Sequence, residues 1–71
     1  MEKYSLVGID GNAYNIMGYV SYALKREGFK KEIKKYCEEA MKSDYDNLIQ
    51  VSMQYLDKIN SKFDDEELEY I

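Results

Sequence analysis

Leu6-Val7-Gly8-Ile9-Asp10-Gly11-Asn12-Ala13 joins a short apolar strand signal directly to the start of a helix. Upstream of the junction, Lys3 to Ile9 alternates in the period of a strand, with Tyr4, Leu6 and Gly8 on one side and Ser5, Val7 and Ile9 on the other. Downstream, Asp10 or Asn12 can accept from the opening N–H groups of a helix. Ala13, Ile16, Met17, Val20, Ala23 and Leu24 then recur at helical spacing as one apolar stripe. Gly28 supplies the C-cap, with Lys25 and Arg26 in the last turn where cations suit the dipole. No second strand is evident. A lone strand must pair across a dimer or lie over the helices as an extended arm.

A second helix is expected over about Lys30 to Lys42, with Ile33, Tyr36, Cys37, Ala40 and Met41 on one face. Cys37 falls inside that stripe and reads as a structural thiol. Ser43 and Asp44 break the pattern and cap a third helix from about Tyr45 to Lys62. Its face is wide: Leu48, Ile49, Ser52, Tyr55, Leu56, Ile59 and Phe63 lie together, and Val51 and Met53 flank them. One stripe would suffice in a small bundle. The breadth points to burial on two sides, by the chain itself and by a neighbour. The predicted fold is therefore mainly α, one N-terminal β-strand followed by three helices, dimeric with the strand pairing or packing across subunits.

Seventy-one residues make one domain near the lower limit for a self-sufficient core. We place it at residues 1–63, followed by an acidic, flexible tail over 64–71. Without a disulfide pair or an obvious metal cluster, self-association is the remaining common remedy. One cysteine and the lack of a secretory segment imply a reducing cytoplasm, and no apolar run is long enough to cross a bilayer. The chain has no histidine, which removes imidazole bases, His ligands and Ser-His or Cys-His pairs. We therefore expect no enzyme, no catalytic residue, no metal and no cofactor. Residues 1–43 hold eight Lys/Arg against six acids, whereas residues 44–71 hold two lysines against eight acids. The acidic total argues against general duplex binding. The local excess from Lys25 to Lys35 is either a solvated face or a contact for a small anion.

The junction is the candidate site. Gly11 is expected to turn with positive φ and to let the amides of Gly11, Asn12 and Ala13 approach phosphate or ribose. Asp10 opposes a bare phosphate and would take a sugar hydroxyl instead. It also suits a carboxylate-metal nuclease, but the other acids show no regular spacing around it. Nor is the segment a Walker loop or a GxGxxG fingerprint, so a purely structural turn stands beside the ligand reading. Eight tyrosines exceed what a core alone would select over phenylalanine. Tyr14 and Tyr22 share a helix-one surface on which a base could stack, and Lys25 or Arg26 would balance charge. The candidate set is Asp10, Gly11, Asn12, Ala13, Tyr14, Tyr22, Lys25 and Arg26.

Ile9-Asp10-Gly11-Asn12-Ala13-Tyr14 and Ile16-Met17-Gly18-Tyr19-Val20, continued by Asp44-Tyr45 and Val51-Ser52-Met53-Gln54-Tyr55, resemble a family of small bacterial, prophage and phage proteins. The likeness covers about residues 4–60. That family has no assigned activity, so no catalytic residue is carried over. The resemblance implies a compact mobile-element protein that binds and neutralises a host component. Two functions follow as expectations: a non-enzymatic protein sequestering a nucleotide-like anion, or an interaction module that blocks a host protein. The second would use the helix-three face or the acidic tail, which could imitate DNA.

Overall fold

A computed structural model describes residues 3–68, with side chains to Phe63. Three helices form: α1 over Ala13–Arg26, α2 over Ile33–Ala40 and α3 over Tyr45–Leu68. Their boundaries have local chemical causes. The Asn12 side chain accepts from the Tyr14 N–H at 2.8 Å and caps α1, while Asp10 Oδ1 accepts from the Asn12 N–H at 3.2 Å and shapes the turn before it. At the other end Glu27 is the C-cap and Gly28 follows it at φ +91. Phe29 N–H bonds the Leu24 carbonyl at 2.7 Å and Gly28 N–H bonds that of Lys25 at 3.4 Å. This is a complete Schellman closure, one residue earlier than a Gly28 C-cap would place it.

The second helix is shorter than its periodicity suggests. Lys30–Glu32 form a 3₁₀ turn, and no side chain caps either that turn or α2. At its end the Asn47 side-chain amide donates to the carbonyls of Glu39 and Ala40 at 2.9 and 3.4 Å. These orphan acceptors are met from α3, so α2 stops before Lys42. Asp44 caps α3, accepting from the Asn47 N–H at 3.0 Å. This helix runs past Lys62 to Leu68, taking in the start of the acidic run; residues 69–71 of the expected tail lie outside the described residues.

The expected N-terminal strand does not form. Among the described residues there is no strand, and residues 3–10 are an arm laid across the helices. Its pairing partner is a side chain. Asn60 Oδ1 on α3 accepts from the N–H groups of Lys3 and Tyr4 at 3.0 and 2.9 Å, and its Nδ2 donates to the Tyr4 carbonyl at 2.9 Å. One buried amide thus meets the backbone groups that a neighbouring strand would otherwise have met. The premise for a strand shared across a dimer falls away with it. The arm then turns at Leu6–Ile9, where Ile9 N–H bonds the Leu6 carbonyl at 3.1 Å. The third residue of that turn, Gly8, has φ +84, as a type II turn requires.

The core lies between α1, α2 and α3, with Tyr4 closing it from the arm. Val20, Leu24, Tyr36 and Ile59 are fully buried. The Tyr36 hydroxyl shares a 2.6 Å hydrogen bond with Ser52, also fully buried, so the polar atoms carried inside are matched. Val51, read as flanking the α3 face, packs on this core.

Replacing Asn60 with Ala strands three backbone groups of the arm. The expected loss is about 2–4 kcal/mol in urea unfolding. An unchanged midpoint would contradict this role for the amide.

Candidate functional site

The residues expected to form one site fall into two places. Asp10, Gly11, Asn12, Ala13 and Tyr14 gather at the start of α1. Here Gly11 is not the residue with positive φ; that role belongs to Gly8. Gly11 is instead a point of close approach, because the Tyr45 hydroxyl donates to its carbonyl at 2.6 Å and lies 3.3 Å from where a Cβ would stand. Beside it opens a depression of about 290 Å³ between Ala13, Tyr14 and Met17 of α1 and Met41, Tyr45 and Leu48. Its lining is apolar apart from Ser43 and Asp44. Tyr14 is 79% exposed at its edge.

Tyr22, Lys25 and Arg26 line a separate shallow hollow. The eight steps from Tyr14 to Tyr22 span about 12 Å of helix, too far for both rings to close on one small base. Arg26 Nη1 donates to the Tyr22 hydroxyl at 2.7 Å, so this guanidinium already has a partner.

A larger opening lies elsewhere, between the arm and α3. Leu6 and Val7 form one wall; Ile49, Met53 and Leu56 form the other, around a groove of about 460 Å³. Val7 is 89% exposed and Met53 53%. The width of the α3 face raised the expectation of a neighbour on its second side. The groove itself stayed hidden because a paired strand would have covered the arm differently.

Tyrosine hydroxyls tie the elements together. Tyr19 accepts from the Ser5 N–H at 3.1 Å, and Tyr55 donates to Glu39 at 2.8 Å. With Tyr4, Tyr22, Tyr36 and Tyr45, six of the seven tyrosines between residues 3 and 68 have a hydroxyl partner within the chain. Their excess over phenylalanine is accounted for by these bonds rather than by stacking surfaces. Cys37 is half-buried, with Sγ 3.8 Å from Ser21 Oγ.

The strongest electrostatic node is Glu27 at the end of α1. Its carboxylate accepts from the Tyr4 hydroxyl at 2.5 Å, and Lys62 and Lys3 stand 3.6 and 4.0 Å away. The Tyr4 hydrogen bond, with Lys3 and Lys62 behind it, holds the Glu27 carboxyl below the usual range against the opposing effect of burial. Burial first, and then Glu27, push the Tyr4 phenol up to about 12. Tyr55 is pushed up to about 12 in the same way, by burial and then by Glu39. These groups fasten the arm and helices, with the Tyr4 and Tyr55 protons donated to Glu27 and Glu39. Among the described residues no group of three His, Cys, Asp or Glu side chains could hold a metal ion, and no helix is long and apolar enough to cross a membrane.

No protein family, curated protein or solved structure matches the chain at a significant level.

The Tyr4–Glu27 latch has a definite pH signature. A carboxyl lowered on folding stabilises above its unfolded value of about 4.3, and that contribution is lost as pH falls through the folded value. A phenol raised on folding stabilises below its unfolded value of about 10, and that contribution is lost as pH rises through the folded one. Urea midpoints measured across pH should therefore fall at both extremes. Glu27→Gln should flatten the acid limb, and Tyr4→Phe should flatten the alkaline one. Variants that keep both limbs at wild-type steepness would show that the latch contributes nothing.

Proposed function

We propose that this chain is a non-enzymatic protein-interaction module whose working surface is the groove between the arm and α3. The observation that carries this reading is the pair of exposed apolar walls, Val7 on the arm and Met53 on α3, around a space of about 460 Å³. A monomer gains nothing by presenting such side chains to water, whereas a partner's apolar residues could be buried there. Methionine suits the task because its flexible thioether adapts to the shape it meets. The absence of histidine and the internal pairing of Glu27, Glu39 and Tyr4 also support binding over catalysis. We also propose a cytoplasmic setting in a phage or prophage host, and blockade of a host protein there; the single cysteine and the sequence resemblance support this reading. Homo-oligomerisation, if the chain uses it, would engage these apolar surfaces rather than a shared strand.

A second reading keeps a small nucleotide-like ligand at Ala13 and Tyr14. The depression beside them and the exposed Tyr14 ring favour it, while Asp44 in the lining works against a bare anion.

A photocrosslinking amino acid at position 53 tests the first reading against one at position 34, on the exposed face of α2. Irradiation in the source cells should yield a discrete protein adduct from position 53 and none from position 34. Equal adducts from both positions, or none from either, would overturn it. A nucleotide retained in native mass spectrometry, and lost with Tyr14→Ala, would favour the second reading.

A further inference from the structure

Charge around the arm–α3 groove is one-sided. From Tyr4 to Leu24 and from Ser43 to Asp57 the chain carries Asp10, Asp44, Asp46 and Asp57 and not one Lys or Arg. These two stretches supply every wall of the groove. Asp57 lines it directly. Asp46, Ile49, Met53 and Asp57 follow at three- and four-residue steps, so they share one face of α3, with a carboxylate at each end of the apolar floor. The nearest lysines are engaged elsewhere. Lys58 pairs with Glu32 and lies 5.4 Å from the Phe29 ring centroid. Lys3 sits 4.6 Å from the Phe63 ring centroid and 4.0 Å from Glu27.

An apolar floor between two carboxylates selects its occupant. Resting on the interaction reading above, we propose that the groove takes an amphipathic helical segment of a partner protein whose apolar side chains are flanked by Lys or Arg. From Ile49 to Asp57 the floor runs about 12 Å, enough for two helical turns and hence apolar residues at i and i+4. Asp46 and Asp57 are about 16 Å apart along α3, which places the partner's cations just beyond those turns. The same charges disfavour the competing surfaces: anionic membrane leaflets and nucleic-acid phosphates would both be repelled. Apolar contact supplies affinity, and the carboxylates supply orientation and choice of partner.

Fluorescence anisotropy of the full chain with three labelled peptides tests this. The probes are an amphipathic Lys-Leu helix, its Glu-Leu counterpart, and a Lys-Ser peptide of equal charge. The Lys-Leu peptide should bind; the other two should bind at least tenfold more weakly. Met53→Ser removes an exposed thioether and should weaken Lys-Leu binding about tenfold. Asp46→Asn with Asp57→Asn should weaken it several-fold and reduce its dependence on salt. Circular dichroism confirms that each surface variant is folded. Equal binding of Glu-Leu would overturn the charge selection. Binding unaffected by Met53→Ser, or matched by Lys-Ser, would move the contact to the acidic C-terminal run and overturn the groove. Absence of Lys-Leu binding, with a protein adduct still formed at position 53 in cells, would overturn the partner chemistry and leave the interaction module standing. Absence of both would overturn the two together.

Discussion

A single buried side-chain amide closes this molecule. Extended backbone needs partners for its N–H and C=O groups, and a chain of this size rarely has sheet to spare for them. Asn60 is suited to the task because a primary amide presents an acceptor and donors in one plane, as a peptide group does. It holds the N–H groups of Lys3 and Tyr4 and the Tyr4 carbonyl from the third helix. Everything the arm does follows from that anchorage. Tyr4 reaches the core and Glu27, Ser5 meets the Tyr19 hydroxyl, and the Leu6–Ile9 turn is held out over α3 as one wall of a groove.

The same economy runs through the helices. With no disulfide and a small core, the chain joins its elements by hydrogen bonds that originate in the interior or at its edge. Tyr36 to Ser52 links α2 to α3, Tyr55 to Glu39 does so again, and Asn47 stops α2 from within the first turn of α3. A tyrosine gives its ring to the core and its hydroxyl to a neighbour, which a phenylalanine cannot do. Lysines concentrate where they serve such links or remain solvated. Beyond Lys3, the rest of the arm, most of α1 and the first part of α3 are left without any cation. That partition is what gives the groove a chemical character beyond its shape.

Much of the helical frame was legible in the sequence because its causes are local. The stripe of Ile16, Val20, Ala23 and Leu24, the Asn12 cap, the Gly28 closure and the Asp44 cap all act within one or two turns. The arm was not legible, for a physical reason. Alternation of Tyr4 and Leu6 with Ser5 and Val7 looks the same whether the backbone pairs with a strand or with an amide 56 residues away. Asn60 lies beyond the apolar centre of its helix and gave no hint of burial. The structure does not bring the expected site residues to one place. An apolar depression does open beside Ala13 and Tyr14, yet helical rise separates Tyr22, Lys25 and Arg26 from it. The positive φ assigned to Gly11 belongs to Gly8, in the local Leu6–Ile9 turn; by sequence alone either glycine could have supplied it.

Amide hydrogen exchange at Tyr4 gives the most direct reading of this account. If the Asn60 side chain holds the arm, the Tyr4 N–H should exchange as slowly as buried amides of α3, at a rate independent of protein concentration. The Asn60 side-chain protons should be slowed with it. Exchange of Tyr4 at the rate of an unstructured peptide would contradict the account, and so would protection that appears only as concentration rises.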